Sequence, residues 1–495
     1  MDAATILEIK PALTTFLHEF DGCFGRRTTR RYLDVYVTGQ LSDLDRKSVE
    51  PMADAAAVPP RSLQEFLSLF KWDETAVRDR LQRRVAARHP DSNSVGVIDE
   101  TSFAKKGDQT ACVQRQHCGC LGKLENCVVS VHLGYAAGDF HTLLDGPGAP
   151  GFLPEETWDQ NRARCRAAGI PDDVVYRPKW QIALQQVRRA LGNGVRFSWL
   201  TFDEGYGAKP AFLRELAGLG QNYVAEIPVS LVGWTVPPAM LYRDHARDKA
   251  CAAGTPPRGR PRRLPRLKVK HTPACEVRNL LTHSPLVRQM AWQRYRVKDG
   301  TKGPFVWEAK CVPLWIKDEC GLPDGPHPLL ITRYVLKPDE VKFFLSNAPL
   351  GTPVETLLLV AFSRWRIERL FEDSKTELGL DHFEVRQYRA ITRHLLLTCV
   401  SHLFLAEFVQ QRKKRRRADR VPGADRHASA GAALVAWRTL FPFAGRPDRG
   451  ATLVNAATQR GRGPQPSQAN AAAIVGDQSA ATRRTHLSVA QDLAL

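Results

Sequence analysis

The chain has 495 residues, of which 43% are hydrophobic, so it is long enough for one large core and accessory domains. Its 71 lysines and arginines outnumber 52 aspartates and glutamates, and the net charge of +19 favours a polyanionic partner, nucleic acid ahead of an anionic membrane surface. No segment approaches the roughly 18 uncharged apolar residues that a bilayer span requires, and the first residues lack the order of a signal peptide. We therefore expect a cytoplasmic protein without a membrane partner.

Residues 1–92 are predicted to form a helical N-terminal domain, because apolar side chains recur there at helical spacing. Four arginines fall together at the start of one predicted helix: Arg26, Arg27, Arg30 and Arg31. Such a cluster could bind DNA phosphates. A solvated basic face is the alternative interpretation for each of these arginines.

Residues 93–228 are predicted to form an α/β unit. The apolar pattern gives the order strand, strand, strand, helix, strand, helix, strand. The predicted strands are 94–99, 110–116, 126–135, 197–203 and 223–227, and the predicted helices are 179–191 and 208–218.

Two of these apolar strands end in a carboxylate, Asp99 and Asp203. A carboxylate at the end of a core strand lies at the sheet edge where α/β proteins commonly place chemistry, whereas one inside the strand would carry a desolvation penalty. Glu100 and Glu204 follow, but successive strand residues face opposite ways, so we select the aspartate of each pair. A turn or helix-capping role is the alternative for either aspartate.

A cluster of thiols and one imidazole extends from the second to the third predicted strand: Cys112, His117, Cys118, Cys120 and Cys127. Zinc prefers such ligands, but the spacing matches none of the usual paired patterns. We interpret these cysteines as small buried or half-buried thiols.

Residues 229–350 are predicted to form a β-rich insertion, because the composition shifts toward proline, arginine and β-branched residues. The segment 243–270 is loop-like and strongly basic, and it includes Arg262 and Arg263 as candidate DNA-binding residues. Further along, the pattern predicts a hairpin whose strands, 292–297 and 305–307, are joined through the Asp-Gly turn at 298–300.

Residues 351–410 are predicted to contain one long helix, 353–378, and an apolar helix near 387–410. Arg364, Glu368 and Lys375 lie four and seven residues apart, so they share one helix face and place a cation on either side of a carboxylate. Apolar residues cover most of the remaining surface of this helix, and its charged stripe is therefore predicted to face a polar cleft. Residues 411–495 are basic and rich in alanine, and most of them are predicted to be disordered.

The carboxylates Asp99, Asp203 and Glu368 would together form a site for hard divalent cations. Mg²⁺ or Mn²⁺ takes oxygen ligands and keeps open positions for water and phosphate oxygens. Two such ions, roughly 3.5–4 Å apart, can activate a water or a 3′ hydroxyl and stabilise the leaving oxygen of a phosphodiester. Arg364 and Lys375 would then neutralise a phosphate of the DNA.

Three motifs carry a resemblance to a known family: the segment 97–107, with its continuation at 114–117 and 122–127, the segment 201–207, and the helix from Arg364 to Lys375. Together they resemble the DDE transposases of bacterial insertion sequences. Within these, the chain is most similar to the insertion-sequence seven-hundred-and-one branch, related to the group whose catalytic helix carries a Y-R-E-K pattern. The resemblance covers roughly residues 15–405.

The resemblance implies roles for individual residues. Asp99, Asp203 and Glu368 match the metal-binding triad, and Arg364 and Lys375 match the R and K of the helix pattern, while the tyrosine position is occupied by Ala361. It also implies a ribonuclease-H-like core interrupted by the β-rich insertion. In relatives that form hairpin intermediates, the insertion supplies an aromatic side chain that stacks on a flipped base. The candidates here are Trp292, Trp307 and Trp315, with cross-strand packing as the alternative for each.

The implied function is Mg²⁺-dependent or Mn²⁺-dependent transposition with two ions at the site. The expected partners are double-stranded DNA with terminal inverted repeats and a target DNA, bound by a homodimer in the bacterial nucleoid. Two alternatives remain: a nuclease on the same fold that does not transfer strands, and a non-catalytic DNA-binding protein derived from a transposase.

Overall fold

A computed structural model describes residues 3–146, 153–242, 245–255, 264–300 and 303–418. Arg262 and Arg263 lie outside the described residues. The predicted disorder of the C-terminal tail also concerns residues that lie mostly outside them, from 419 onward.

The N-terminal part is helical, as the apolar periodicity predicts. Its five helices are α1 (Ala3–His18), α2 (Arg27–Leu41), α3 (Val49–Ala55), α4 (Pro60–Ser68) and α5 (Glu74–Arg88). Helix α4 begins with a proline, which lacks the N–H that a first helical residue would leave unpaired. Helix α5 begins after Asp73, whose side chain accepts a hydrogen bond from the Ala76 N–H at 2.9 Å.

The next part is a mixed sheet with helices. Its strands are β1 (Val95–Ala104), β2 (Gln114–Cys118), β3 (Lys123–Ala137), β4 (Phe140–Asp145), β5 (Trp199–Phe202) and β6 (Tyr223–Glu226). Its helices are α6 (Arg162–Ala167), α7 (Lys179–Gly192), α8 (Glu204–Gly207) and α9 (Pro210–Gly218). Strand β1 pairs antiparallel with β3 and parallel with β5, and β5 pairs parallel with β6. The α/β class expected from the sequence is confirmed.

Three details of this part differ from the sequence prediction. The predicted strand 110–116 was wrong in its first half, because residues 110–113 form a turn in which Cys112 has a φ of 65°. Strand β4 was missed, although it pairs with β3. The predicted helix 208–218 is present as α9, which begins at Pro210, but the short helix α8 that precedes it was missed.

The following segment adds strands and short helices. The strands are β7 (Val232–Trp234), β8 (Met240–Leu241), β9 (Arg266–Leu267), β10 (Cys275–Glu276), β11 (Gln293–Gly300), β12 (Gly303–Lys317), β13 (Pro323–Tyr334) and β14 (Lys337–Ser346). The helices are α10 (His245–Ala252), α11 (Leu280–His283) and α12 (Pro285–Gln289). The segment predicted to be loop-like, 243–270, therefore contains a helix. The hairpin of β11 and β12 is present, and its first strand continues through Gly300.

This β-rich segment continues the central sheet, although the sequence favoured a separate layer. Strand β14 pairs antiparallel with β6, and the order from there outward is β14, β13, β12, β7 and β10. The physical reason is that β6 would otherwise present a row of unpaired backbone groups at a sheet edge. The site elements and most of the inserted strands therefore share one hydrogen-bonded sheet, whereas β8 and β9 form a separate two-stranded sheet.

Three helices complete the described chain: α13 (Val354–Phe362), α14 (Trp365–Leu378) and α15 (Tyr388–Ala418). The prediction of one helix over 353–378 was wrong. The Ser363 hydroxyl donates to the Val360 carbonyl at 2.7 Å, and backbone bonds of the i to i−3 type replace the α-helical pattern around Arg364. Helix α15 extends beyond the predicted 387–410 and packs against β4, α2 and α4.

Candidate active site

Strands β1, β5 and β6 pair in parallel, and this pairing stops at one level of the sheet. The predicted end of the first strand at Asp99 was wrong, because β1 continues to Ala104 in its antiparallel pairing with β3. Ile98 of β1 lies beside Phe202 of β5, and Phe202 lies beside Ala225 of β6. These three residues are fully buried, so they fix the strand ends in the core. The next residue after each of them carries a carboxylate: Asp99, Asp203 and Glu226.

Arg364 brings the carboxylate-bearing helix into contact with these strand ends. Its Nη1 lies 3.0 Å from Asp99 Oδ2, and its Nη2 lies 3.4 Å from Glu368 Oε1. Its Nε lies 3.9 Å from Glu226 Oε2. The break between α13 and α14 comes just before Arg364, so one guanidinium at the start of α14 contacts carboxylates of β1, β6 and its own helix.

The charges of these groups act on one another. Burial raises the pKa of Asp99 to about 7, Arg364 opposes this shift, and the negative charges of Asp203 and Glu368 add to it. Burial also raises the pKa of Asp203, against the effect of Arg364. The surrounding carboxylates in turn raise the pKa of Arg364, although burial opposes them. Asp99, Asp203 and Glu368 therefore share one electrostatic environment with a permanently charged arginine.

Asp203 also has the capping role that the sequence left open. Its Oδ1 accepts hydrogen bonds from the N–H of Gly205 at 3.0 Å and of Tyr206 at 3.4 Å, at the start of α8. Glu100 pairs instead with Lys179 of α7, Nζ to Oε1, at 2.6 Å. The alternation of side chains on β1 thus directs Asp99 toward Arg364 and its neighbour toward α7.

Lys375 contacts the backbone of β1. Its Nζ donates to the Ser102 carbonyl at 3.4 Å and lies 5.7 Å from the centre of the Phe103 ring. It therefore lies beside the same strand as Asp99, three residues further along.

The arginines predicted in the N-terminal domain are exposed at the start of α2: Arg26, Arg27, Arg30 and Arg31. Arg30 makes contacts within the protein: its Nε donates to the Phe24 carbonyl at 3.1 Å, and its Nη1 lies 3.7 Å from Asp21 Oδ2. The others present their charge to solvent.

The candidate tryptophans have different surroundings. Trp307 is only 3% exposed and packs 4.3 Å from the Phe362 ring and 5.4 Å from the Tyr334 ring, centre to centre. It cannot stack on a base without leaving the core, so the packing alternative describes it. Trp292 is half-buried, with Arg333 4.2 Å and Lys310 4.7 Å from its ring centre. Trp315 lies opposite Trp234 in the pairing of β12 with β7.

Sequence reasoning missed Glu226 and its partner Lys342, whose Nζ lies 2.9 Å from Glu226 Oε1. A signal was present, because Glu226 falls at the end of an apolar strand in the same way as Asp99 and Asp203. The segment 223–227 was assigned as a strand without extending the strand-end argument to it.

The donor chemistry of the site fits a hard divalent cation. Asp99, Asp203 and Glu368 offer only oxygen atoms. Burial raises the pKa of both aspartates and neighbouring carboxylates add to the shift, and a bound cation would oppose both effects. Across the described ranges, however, no three Asp, Glu, His or Cys side chains lie close enough together to hold a metal ion as they stand. The cation that now contacts Asp99 and Glu368 is the guanidinium of Arg364.

The cysteine cluster is not a metal centre in the described part of the chain. Cys118 and Cys120 have their sulfur atoms 3.3 Å apart, and Cys118 and Cys127 are buried with Val129 in a small apolar cluster. All of these cysteines are free thiols. The expectation of buried or half-buried thiols describes Cys118 and Cys127, whereas Cys120 is exposed.

Fold and site together define an α/β protein with acidic residues at the carboxyl edge of the parallel strands of its mixed sheet. Arg364, at the start of α14, contacts these residues. In comparisons with known families, the family described as DDE superfamily endonuclease matches residues 19–304, more than half of the chain. The chain therefore belongs to this family. The matched region contains Asp99, Asp203 and Glu226, and it ends before Glu368.

Among characterised sequences, the chain is similar to a probable transposase for insertion sequence element IS701 from Microchaete diplosiphon. The two are 29% identical over 200 residues, which cover 40% of this chain and 48% of the relative. The chain thus spans about half the length of that relative. The resemblance to the transposases of insertion sequences is supported by both comparisons. No helix of the described segments is both long and apolar enough to cross a membrane.

Proposed function

We propose that this chain is a DDE transposase that cleaves DNA at the ends of an insertion sequence and joins them to a target DNA, a cut-and-paste reaction. The observation that carries the proposal is that Arg364 lies within ion-pair distance of both Asp99 and Glu368, while the charge of Asp203 acts on Asp99 and on Arg364. Membership of an endonuclease family and similarity to a probable transposase support the same reaction.

We propose further that the core is ribonuclease-H-like. The strand order β4, β3, β1, β5, β6 supports this, with the first three strands antiparallel and the last two parallel to β1. In this arrangement β1 lies in the middle of the sheet, so Ile98 of β1 and Phe202, the last residue of β5, are adjacent although about a hundred residues separate them. This adjacency places Asp99 beside Asp203.

Asp99, Asp203 and Glu368 would hold the divalent cations, which we propose to be two Mg²⁺ or Mn²⁺ ions. Bound there, such ions lower the pKa of a water or hydroxyl and stabilise the leaving oxygen of a phosphodiester. Arg364 would supply a charge-assisted hydrogen bond to a phosphate of the DNA, and Lys375 would hold the neighbouring backbone of β1.

DNA binding would rest on exposed cationic surface outside the acidic site. The arginines at the start of α2 can contact phosphates, and the net charge of +19 favours association with DNA. Trp292 and Trp315 remain the candidates for stacking on a base, because Trp307 is buried. We propose double-stranded DNA with terminal inverted repeats and a target DNA as partners, bound by a homodimer.

A cleavage assay tests the proposal. The full chain is incubated with Mg²⁺ and DNA that carries the flanking inverted repeats, and Asp99→Asn, Asp203→Asn and Glu368→Gln are each expected to abolish cleavage while binding of the ends persists. The matched control is Glu372→Gln, which removes an exposed carboxylate of the same helix and should leave cleavage intact. Cleavage retained by any of the three purified variants would reject the assignment of that residue.

A second candidate function is a nuclease without strand transfer, which the description of the family as endonucleases favours. One result of the same assay distinguishes the transposase from the nuclease. If cut ends become covalently joined to a second DNA, the chain is a transposase; if they accumulate unjoined, it is a nuclease. A chain that binds the ends without nicking them in Mg²⁺ would be a non-catalytic derivative.

A further inference from the structure

Glu226 lies beside the acidic site, but the proposed triad of Asp99, Asp203 and Glu368 gives it no role. It ends β6, the strand beside that of Asp203, and its side chain is only 15% exposed. One carboxylate oxygen, Oε1, lies 2.9 Å from Lys342 Nζ, and the other, Oε2, lies 3.9 Å from Arg364 Nε. Glu226 thus lies between a lysine of the inserted strands and the arginine of the acidic site.

Arg364 contacts two of the proposed metal ligands, Asp99 and Glu368. A divalent cation that binds the oxygens of these two residues would replace the guanidinium of Arg364 as their partner. Arg364 would then lose two of its ion pairs. The side chain of Arg364 is 24% exposed, and a largely buried charge without a partner is unfavourable. Among the carboxylates in ion-pair distance of Arg364, Glu226 is the one that the proposed triad does not use.

Lys342 favours this arrangement of Glu226. It lies on β14, which pairs with β6 opposite Glu226 through Phe344, so Lys342 is two residues further along the same face. Its contact with Oε1 leaves Oε2 on the side of Arg364 and offsets part of the cost of burying the carboxylate.

We propose that Glu226 is a positioning residue that retains Arg364 at the site when a divalent cation binds Asp99 and Glu368. The inference rests on the proposed function, because it presupposes that these carboxylates bind the cation. Glu226 acts through Arg364 and does not itself ligate the ion. When Glu226 is removed, Arg364 loses the carboxylate that stays beside it after the cation binds. Separating Arg364 from Asp99 and Glu368 then costs more free energy, and the cation binds more weakly.

A double-mutant cycle on Mn²⁺ binding tests this role in the full chain without DNA, by titration calorimetry. Glu226→Gln is expected to raise the Kd for Mn²⁺ about tenfold, the scale on which groups behind metal ligands act. In the background of Arg364→Gln, the same substitution is expected to change the Kd no more than about twofold, because the group through which it acts is gone.

A conservative variant distinguishes the positioning of Arg364 by Glu226 from a general effect of the negative charge of Glu226. Glu226→Asp keeps the charge but shortens the side chain by one methylene, so its carboxylate no longer reaches Arg364 Nε, and it should weaken Mn²⁺ binding as Glu226→Gln does. If Glu226→Gln does not fold, as circular dichroism would show, this variant completes the cycle with Arg364→Gln. The control is Glu204→Gln, which removes an exposed negative charge next to Asp203 and should leave the Kd unchanged.

Three results would overturn the inference. Equal weakening in both backgrounds would mean that Glu226 acts on the ion directly, and no weakening in either would mean that it has no role there. Wild-type affinity in Glu226→Asp would show that charge alone matters. Failure of the unsubstituted chain to bind Mn²⁺ would instead overturn the proposed function, and this inference with it.

Discussion

Gly207 determines how closely α8 approaches β6. A Cβ at this position would overlap the Glu226 carbonyl oxygen, closer than real Cβ contacts allow. The obstacle is backbone, which cannot rotate aside like the end of a side chain. The residue therefore keeps Asp203, the residue before α8, and Glu226, the end of β6, at their present separation.

Gly207→Ala is expected to lower the free energy of unfolding by about 2 kcal/mol or more, because overpacking against backbone forces a shift of the main chain. Chemical denaturation measures this, and cleavage should fall as well if the shift displaces Asp203. The control is Gly218→Ala in α9, where a Cβ meets nothing within 4 Å and alanine favours the helix. Equal stability of the two variants would contradict the steric argument.

At the scale of elements, Arg393 joins α15 to the N-terminal helices. Its side chain is 2% exposed, and its Nε lies 2.6 Å from Glu74 Oε1 at the start of α5. Its other nitrogens donate to four carbonyl groups at and beyond the end of α4: those of Phe66, Leu67, Phe70 and Trp72. A helix end leaves such carbonyls without partners, so this arginine caps α4 from another element.

Arg393→Met should destabilise the protein by about 3–5 kcal/mol, the scale for removing one partner of a buried ion pair, since it leaves several carbonyls without a donor and removes the closer of the two arginines that pair with Glu74. Thermal or chemical unfolding measures the loss. Arg389→Met is the matched control, because Arg389 is 59% exposed and lies 3.6 Å from the same Glu74, so its removal should cost less than about 1 kcal/mol. A small effect of both substitutions would show that Arg393 does not hold the helices together.

At the scale of the whole molecule, neutral histidines are buried between its layers. His394 of α15 has its Nε2 3.0 Å from the Gly379 carbonyl and 3.2 Å from the Leu380 carbonyl, so Nε2 carries the proton. Its Nδ1 therefore accepts a hydrogen bond from the Tyr36 hydroxyl at 2.8 Å. Burial lowers the pKa of His394 to about 4. It also lowers the pKa of His132 and of His402, each to about 3.

The contribution of these histidines to stability is therefore expected to fall as the pH falls from about 6.5 toward 4, in the direction opposite to that of buried carboxylates such as Asp99, whose pKa is raised. In this window the unfolded chain binds protons that the folded chain excludes, so the contribution is complete above the unfolded pKa and decreases below it. His394 alone accounts for about 3 kcal/mol at most, from a shift of about 2.5 pH units. Chemical denaturation at pH 7 and pH 5 measures the loss.

His394→Gln should show a shallower dependence of stability on pH, because glutamine does not titrate. His283→Gln, which removes an exposed histidine, should keep the dependence of the unsubstituted chain. A dependence in His394→Gln as steep as in the unsubstituted chain would mean that other groups cause the acid sensitivity.

Much of the architecture could be predicted because it depends on local periodicity. The helical N-terminus and the apolar strands that lead to Asp99 and Asp203 follow from apolar spacing over a few residues, although β1 continues beyond Asp99 to Ala104. The same argument would have reached Glu226 as well. Local periodicity could not show the break before Arg364, because a serine hydroxyl within a helical pattern can either bond to the helix backbone or leave it unchanged.

The sequence by itself determined the α/β class, the basic charge, the family resemblance and the residue types of the acidic site, since all of these depend on residue identity and short spacing. Only the tertiary structure decided which groups meet. Arg364 contacts Asp99, 265 positions away in the chain, Trp307 packs against Phe362 in the core, and β14 pairs with β6. The physical reason is that such contacts depend on strand register and on packing between distant segments, which short-range patterns do not encode.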